Sequence, residues 1–134
     1  MKNILYIEDM EECYLQTKFS LGENYKLDWK RNYSDALGAI TNCLNEYSAA
    51  VLDVNLDYDP NLSYSEQTRE GLDLIRILKK EAKKKGISIP ILCASSNGKL
   101  YKQLALAAGA DIFLWKKELW EGDGRKKLEE LLND

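Results

Sequence analysis

The chain has 134 residues, 45% of them apolar and 31% charged, with a net charge of -3. That size and balance suit one soluble domain able to bury its own core, and they exclude a disordered or fibrous chain. The small charge gives no electrostatic reason to bind nucleic acid or an anionic membrane, and the complete lack of histidine excludes Ser-His-Asp hydrolysis, Cys-His catalysis and the usual zinc enzymes.

The N-terminus runs straight into a short apolar segment carrying Glu8 and Asp9, too short and too charged for a signal peptide or a membrane span. Residues 4–7 read as a strand. A helix at 11–21 follows, with Cys13, Leu15, Phe19 and Leu21 able to share an inward side and Gly22 to stop it. Tyr25, Leu27 and Trp29 alternate with polar residues, as in a strand near a sheet edge with one apolar face. Ser34 is the expected cap of the next helix, which carries Ala36, Leu37, Ile40 and Leu44 and ends near Tyr47. The continuous apolar run at 49–52 has the form of a central parallel strand covered on both faces, and it stops at Asp53.

Residues 54–69 show no sustained period and read as a long loop. A helix at 71–85 places Leu72, Ile75, Leu78 and Ala82 on one side and ends in lysines that favour the negative end of its dipole. A strand at 89–94 starts with Pro90 and is terminated by Ser95 and Ser96. A helix at 99–108, a strand at 112–115, the pair Lys116-Lys117 and a helix at 125–132 complete five strand-helix units without an internal repeat. Right-handed crossovers then put helices on both faces of a parallel sheet. Cys13, Cys43 and Cys93 are odd in number and widely spaced, which suggests neither disulfides nor a zinc site and makes a reducing cytoplasm the expected location.

Open parallel sheets bind ligands at the carboxyl ends of their strands. Here those ends carry Glu8-Asp9, Asp53, Ser95-Ser96 and Lys116-Lys117. Carboxylates gathered there repel by about 4 kcal/mol per pair roughly 4 Å apart at an effective dielectric near 20, so a cation must balance them. Oxygen donors without histidine or thiolate point to a hard ion such as Mg2+. Lys116 adds a second positive charge able to hold a phosphate oxygen, and Ser95 adds a hydroxyl donor. These parts suit in-line phosphoryl transfer, with Asp53 as nucleophile because it stands at the tip of the buried central strand.

Over residues 4–132 the chain resembles the receiver domain of bacterial response regulators. Ile4-Leu5-Tyr6-Ile7-Glu8-Asp9 is similar to that family's opening strand and acidic pair, and Ala50-Val51-Leu52-Asp53 to the strand presenting its phosphoacceptor. Pro90 to Ser95 resembles the strand ending in a Ser/Thr switch, and Gly109 to Lys116 the last strand and its lysine. The resemblance implies a flavodoxin-like sheet of order 2-1-3-4-5 and a single receiver domain spanning 1–134. It also implies phosphorylation of Asp53 by a sensor histidine kinase or phosphotransfer protein, and a downstream effector protein or output domain as further partner. Mg2+ would be bound by Asp9, Asp53 and the carbonyl of Asn55, with Glu8 acting through water. Ser95 and Phe113 would form the switch, although plain core packing accounts for Phe113 equally well.

The sequence departs from that family in three places. Lys117 stands where a proline with a cis peptide is usual; a non-proline cis bond costs about 2.5–4 kcal/mol, so a trans loop and a differently aimed Lys116 are expected. Asp57 replaces a common proline, and the stretch 57–70 is longer than the usual connection to Gly71. Trp115 and Trp120, near the output face, are partner contacts or packed aromatics. The alternatives are a receiver-like interaction module that signals without phosphorylation and, ranked last, a metal-dependent phosphatase or nuclease. The chain leaves no room for an output domain after its last helix, which fits either a stand-alone receiver or one cut from a longer protein, and dimerisation is left open.

Overall fold

The computed structural model describes residues 2–53, 64–95, 99–120 and 122–133. In chain order the elements are β1 (Lys2–Ile7), α1 (Glu11–Leu21), β2 (Tyr25–Lys30), α2 (Tyr33–Cys43), β3 (Ala49–Asp53), α3 (Tyr64–Lys85), β4 (Ile91–Ser95), α4 (Lys99–Ala108), β5 (Ile112–Trp115), α5 (Lys116–Trp120) and α6 (Gly122–Asn133). The strands form one parallel sheet in the order β2-β1-β3-β4-β5, the flavodoxin-like arrangement. Strand order reverses between β1 and β3, and it is beside such a reversal that open sheets leave room for a ligand.

Alternation along the strands divides the core into two layers. Leu5, Ile7, Leu52, Ile91 and Cys93 face α2, α3 and α4, where Ile40, Leu74, Ile75, Leu78 and Ala105 are buried against them. Ile4, Tyr6, Val51, Leu92 and Leu114 face the other way, onto Leu21 of α1, Leu119 of α5 and Leu128 and Leu132 of α6. Both faces of β1, β3 and β4 are therefore covered, which is why these strands read as unbroken apolar runs. Tyr25, Leu27 and Trp29 of the edge strand β2 contribute one face only.

Four local expectations are corrected. In α1 the inward row is Cys13, Thr17 and Leu21, while Leu15 is 52% and Phe19 91% exposed. Two residues of helix turn the side chain by roughly 200°, so Leu15 and Phe19 cannot share a face with Cys13 and Thr17. The buried Thr17 hydroxyl is satisfied by donating to the Cys13 carbonyl (2.8 Å) and accepting from the Trp120 indole (2.9 Å). The cap of α2 is Asn32, whose side chain accepts from the Asp35 amide at 2.8 Å, not Ser34. Helix α3 begins at Tyr64, within the stretch expected to be loop, and residues 54–63 of that stretch lie outside the described residues. A short helix, α5, starts at Lys116, where only a strand end was expected.

Candidate functional site

Register explains how the acidic residues meet. Ile7 pairs with Leu52 and Asp53 with Ala94, so Glu8 follows β1 level with the last residue of β3. Ser95 ends β4 opposite Trp115, and Lys116 comes one residue later. Four strand ends thus deliver their polar residues to one small area at the carboxyl edge of the sheet.

Glu8, Asp9 and Asp53 each offer a carboxylate oxygen within 4.8 Å of the others. Glu8 is 1% exposed, Asp53 5% and Ser95 0%. Lys116 lies across the cluster, its Nζ 2.6 Å from Glu8 Oε1 and 2.8 Å from Asp53 Oδ2. The trans backbone expected at Lys117 is observed, and Lys116 nonetheless reaches into the acidic cluster. No described peptide bond is cis, and the chain turns directly into α5 after β5, with Glu118 Oε1 accepting from the Trp115 amide at 3.1 Å. Trp120, one helical turn beyond Lys116, donates its indole N–H to Thr17 and fixes α5 against α1.

Phe113 is half-buried and packs against the layer that holds Tyr101 and Ala105 of α4. Asn55 and Ser96 lie outside the described residues. Three nearby residues carried no sequence signal. Cys13 Sγ lies 3.6 Å from Lys116 Nζ. The Trp29 indole donates to the Glu8 carbonyl at 2.7 Å, and Arg31 reaches toward the Asp9 carbonyl at 3.5 Å. Trp29 read only as an apolar strand residue, and its polar contact spans 21 positions that no local pattern links.

The electrostatics follow from burial. Glu8 is pushed up to about 8 by desolvation and by the charge and hydrogen bond of Asp53, against the opposing pull of Lys116. Burial works against the charge on Lys116, but the carboxylates of Asp53 and Glu8 outweigh it and hold the ammonium well above the usual lysine range. Burial, with the hydrogen bond and charge of Glu8, raises Cys13 to about 12, so its thiol stays neutral and is no nucleophile near pH 7.

A hard divalent cation fits this donor set. The cluster is all oxygen, and Glu8 Oε2 is buried without a hydrogen-bond partner among the described residues, an atom left for a cation or an ordered water to satisfy. The same atom yields a prediction for the protein held in chelator. The stability associated with the neutral Glu8 carboxyl is fully present below about 4.5, and is lost as pH rises through about 8, since the unfolded chain ionises first. Glu8→Gln removes that loss. Denaturant titrations should show the variant gaining on the native protein between those two pH values, by on the order of several kcal/mol at the upper end. A pH-independent difference would place the cost elsewhere.

No protein-family model matches the chain, and no curated protein matches it in sequence. Solved structures match it closely in shape. A response regulator receiver domain protein from Clostridium thermocellum is 21% identical, with a TM-score of 0.71 over 99% of this chain and 92% of that one. The receiver domain of the histidine kinase CKI1 from Arabidopsis thaliana, complexed with Mg2+ and BeF3-, is 18% identical with a TM-score of 0.73, over 99% and 91%. The non-phosphorylated HemR receiver domain from Leptospira biflexa is 22% identical with a TM-score of 0.69, over 98% and 94%. The chain has the fold of response-regulator receiver domains.

Proposed function

We propose that the chain is a phosphoacceptor receiver domain in which Asp53 accepts a phosphoryl group from the phosphohistidine of a sensor kinase or phosphotransfer protein. An Asp53 carboxylate oxygen attacks phosphorus as the phosphorus–nitrogen bond breaks and the imidazole leaves with the electron pair; attack by water later releases phosphate and restores the carboxylate. The observation that carries this reading is the position of Lys116 Nζ, 2.8 Å from Asp53 and 2.6 Å from Glu8. A fixed ammonium beside the nucleophile stabilises the charge that gathers on the phosphoryl oxygens during in-line transfer.

Asp9 and Asp53, with the carbonyl of Asn55, would hold Mg2+, and Glu8 would support it through water. When bound, the ion supplies the further positive charge that lets an anionic donor approach an anionic acceptor. Ser95 donates its hydroxyl to the phosphoryl group. Its movement, with that of Phe113 on β5, would alter the face made by α4, β5 and the helices after it, where an effector or output domain binds. Trp115, 39% exposed on β5, stands on that face. Among the described residues no helix is long and apolar enough to cross a membrane, which suits a cytoplasmic signalling role.

A second reading rests on the same lysine. Lys116 already neutralises the carboxylates it contacts, so the cluster can persist without an ion, as in a receiver-like module that signals without phosphorylation. Incubation with Mg2+ and a small acyl phosphate separates the two. A mass gain of one phosphoryl group, mapped to Asp53 and dependent on Mg2+, is expected; no gain would favour the second reading.

A further inference from the structure

The β1–β2 ladder reaches its last rung where the Glu8 amide donates to the Lys30 carbonyl at 3.0 Å. The next acceptor along β1, the Glu8 carbonyl, is taken by the Trp29 indole N–H at 2.7 Å. Both peptide groups of Glu8 are thereby pinned, one by backbone and one by a side chain, immediately before the chain presents Asp9. The indole itself is held on two sides. Its ring stacks on Tyr14 of α1 with centroids 4.2 Å apart and planes 6° from parallel, and the Arg31 guanidinium lies 4.7 Å from its centroid. Arg31 also reaches the Asp9 carbonyl at 3.5 Å. A stacked, cation-covered indole is a stiff donor, and it grips the one peptide whose orientation decides where the Asp9 carboxylate points.

We infer that Trp29, braced by Tyr14 and Arg31, is a positioning residue that sets the cation affinity of the acidic cluster by fixing the Glu8–Asp9 peptide. The inference rests on the reading of that cluster as a Mg2+ site. Trp29 touches neither the ion nor the reacting atoms, so its effect falls on affinity and not on the transfer step.

Trp29→Phe keeps a ring over Tyr14 and removes the N–H. Isothermal titration of the full chain with Mg2+ alone should show the dissociation constant rising about 3- to 10-fold, the usual consequence of losing one hydrogen bond. The rate of phosphorylation by an acyl phosphate at saturating Mg2+ should stay within about twofold of the native rate, because excess ion restores occupancy. Arg31→Gln, at an exposed position, should raise the constant about twofold and carries the test should the phenylalanine variant not fold. Unchanged Mg2+ affinity in the folded variants, with native protein that binds Mg2+ and is phosphorylated, would overturn the inference and leave the functional reading intact. A rate loss that saturating Mg2+ does not restore would also overturn it. Native protein that binds no Mg2+ would remove the reading and the inference together.

Discussion

Replacing Asp53 by asparagine should abolish phosphoryl uptake, because an amide oxygen carries no charge and cannot displace the donor's leaving group to form a stable acyl phosphate. Intact-mass measurement after incubation with acyl phosphate and Mg2+ should show no gain at Asp53→Asn where the native chain gains one group. A gain of equal size would place the acceptor elsewhere. The same substitution reaches Glu8. Burial remains, but the charge and hydrogen bond of Asp53 are removed, while Lys116 and Cys13 still favour the carboxylate. Glu8 should therefore fall from about 8 toward the ordinary carboxylate range, which carbon-detected NMR of its side chain can follow. A variant that loses uptake while Glu8 titrates as before would show that the two carboxylates are not coupled as their geometry implies.

Legibility in the sequence followed the range of the interactions involved. The central strands were readable because burial on both faces leaves an unbroken apolar run, and each run ends at the residue that becomes a site group: Ile7 before Glu8, Leu52 before Asp53. Since every strand is parallel, those ends fall on the same edge, and the meeting of Glu8, Asp9 and Asp53 followed from topology alone. The helix faces were harder. Leu15 and Phe19 look like core residues by hydropathy, but the fold buries the Thr17 row instead, because Tyr6 and Trp120 satisfy the Thr17 hydroxyl from elements far along the chain. Nothing near Thr17 in sequence advertises those partners.

The start of α3 was hidden for a different reason. Its first turns, from Tyr64 to Glu70, contain Ser, Glu, Gln, Thr and Arg, and offer no apolar period. Lys117 signalled the trans backbone but not what surrounds it: α5 begins at Lys116 itself and is anchored one turn later through Trp120, and Lys116 meets Glu8 and Asp53. An indole-to-hydroxyl bond thus ties the helix that begins at Lys116 to α1.

The contacts of Lys116 make it a sensitive position for stability. Its side chain is 11% exposed and its Nζ contacts the carboxylates of Glu8 and Asp53, both buried. Lys116→Met keeps much of the length and deletes the charge, leaving those carboxylates facing one another, and breaking such a buried cluster from one side costs about 3–5 kcal/mol. The sign of the pH dependence follows from Glu8. With the ammonium gone its affinity for protons rises further, since Lys116 is one of the groups holding it down. Below about 4.5, where Glu8 is neutral folded or unfolded, its share of the penalty is absent, and the penalty grows as pH rises past about 8. Denaturant midpoints for variant and native protein should therefore draw together in acid and separate toward alkaline pH, and millimolar Mg2+ should narrow the gap by restoring positive charge among the carboxylates. Phosphoryl uptake should slow by about 10²- to 10³-fold, the loss seen when one fixed donor to a developing oxyanion is removed. A variant equally stable at both ends of the pH range would mean that Lys116 contributes packing alone, and that the carboxylates are kept apart by something other than its charge.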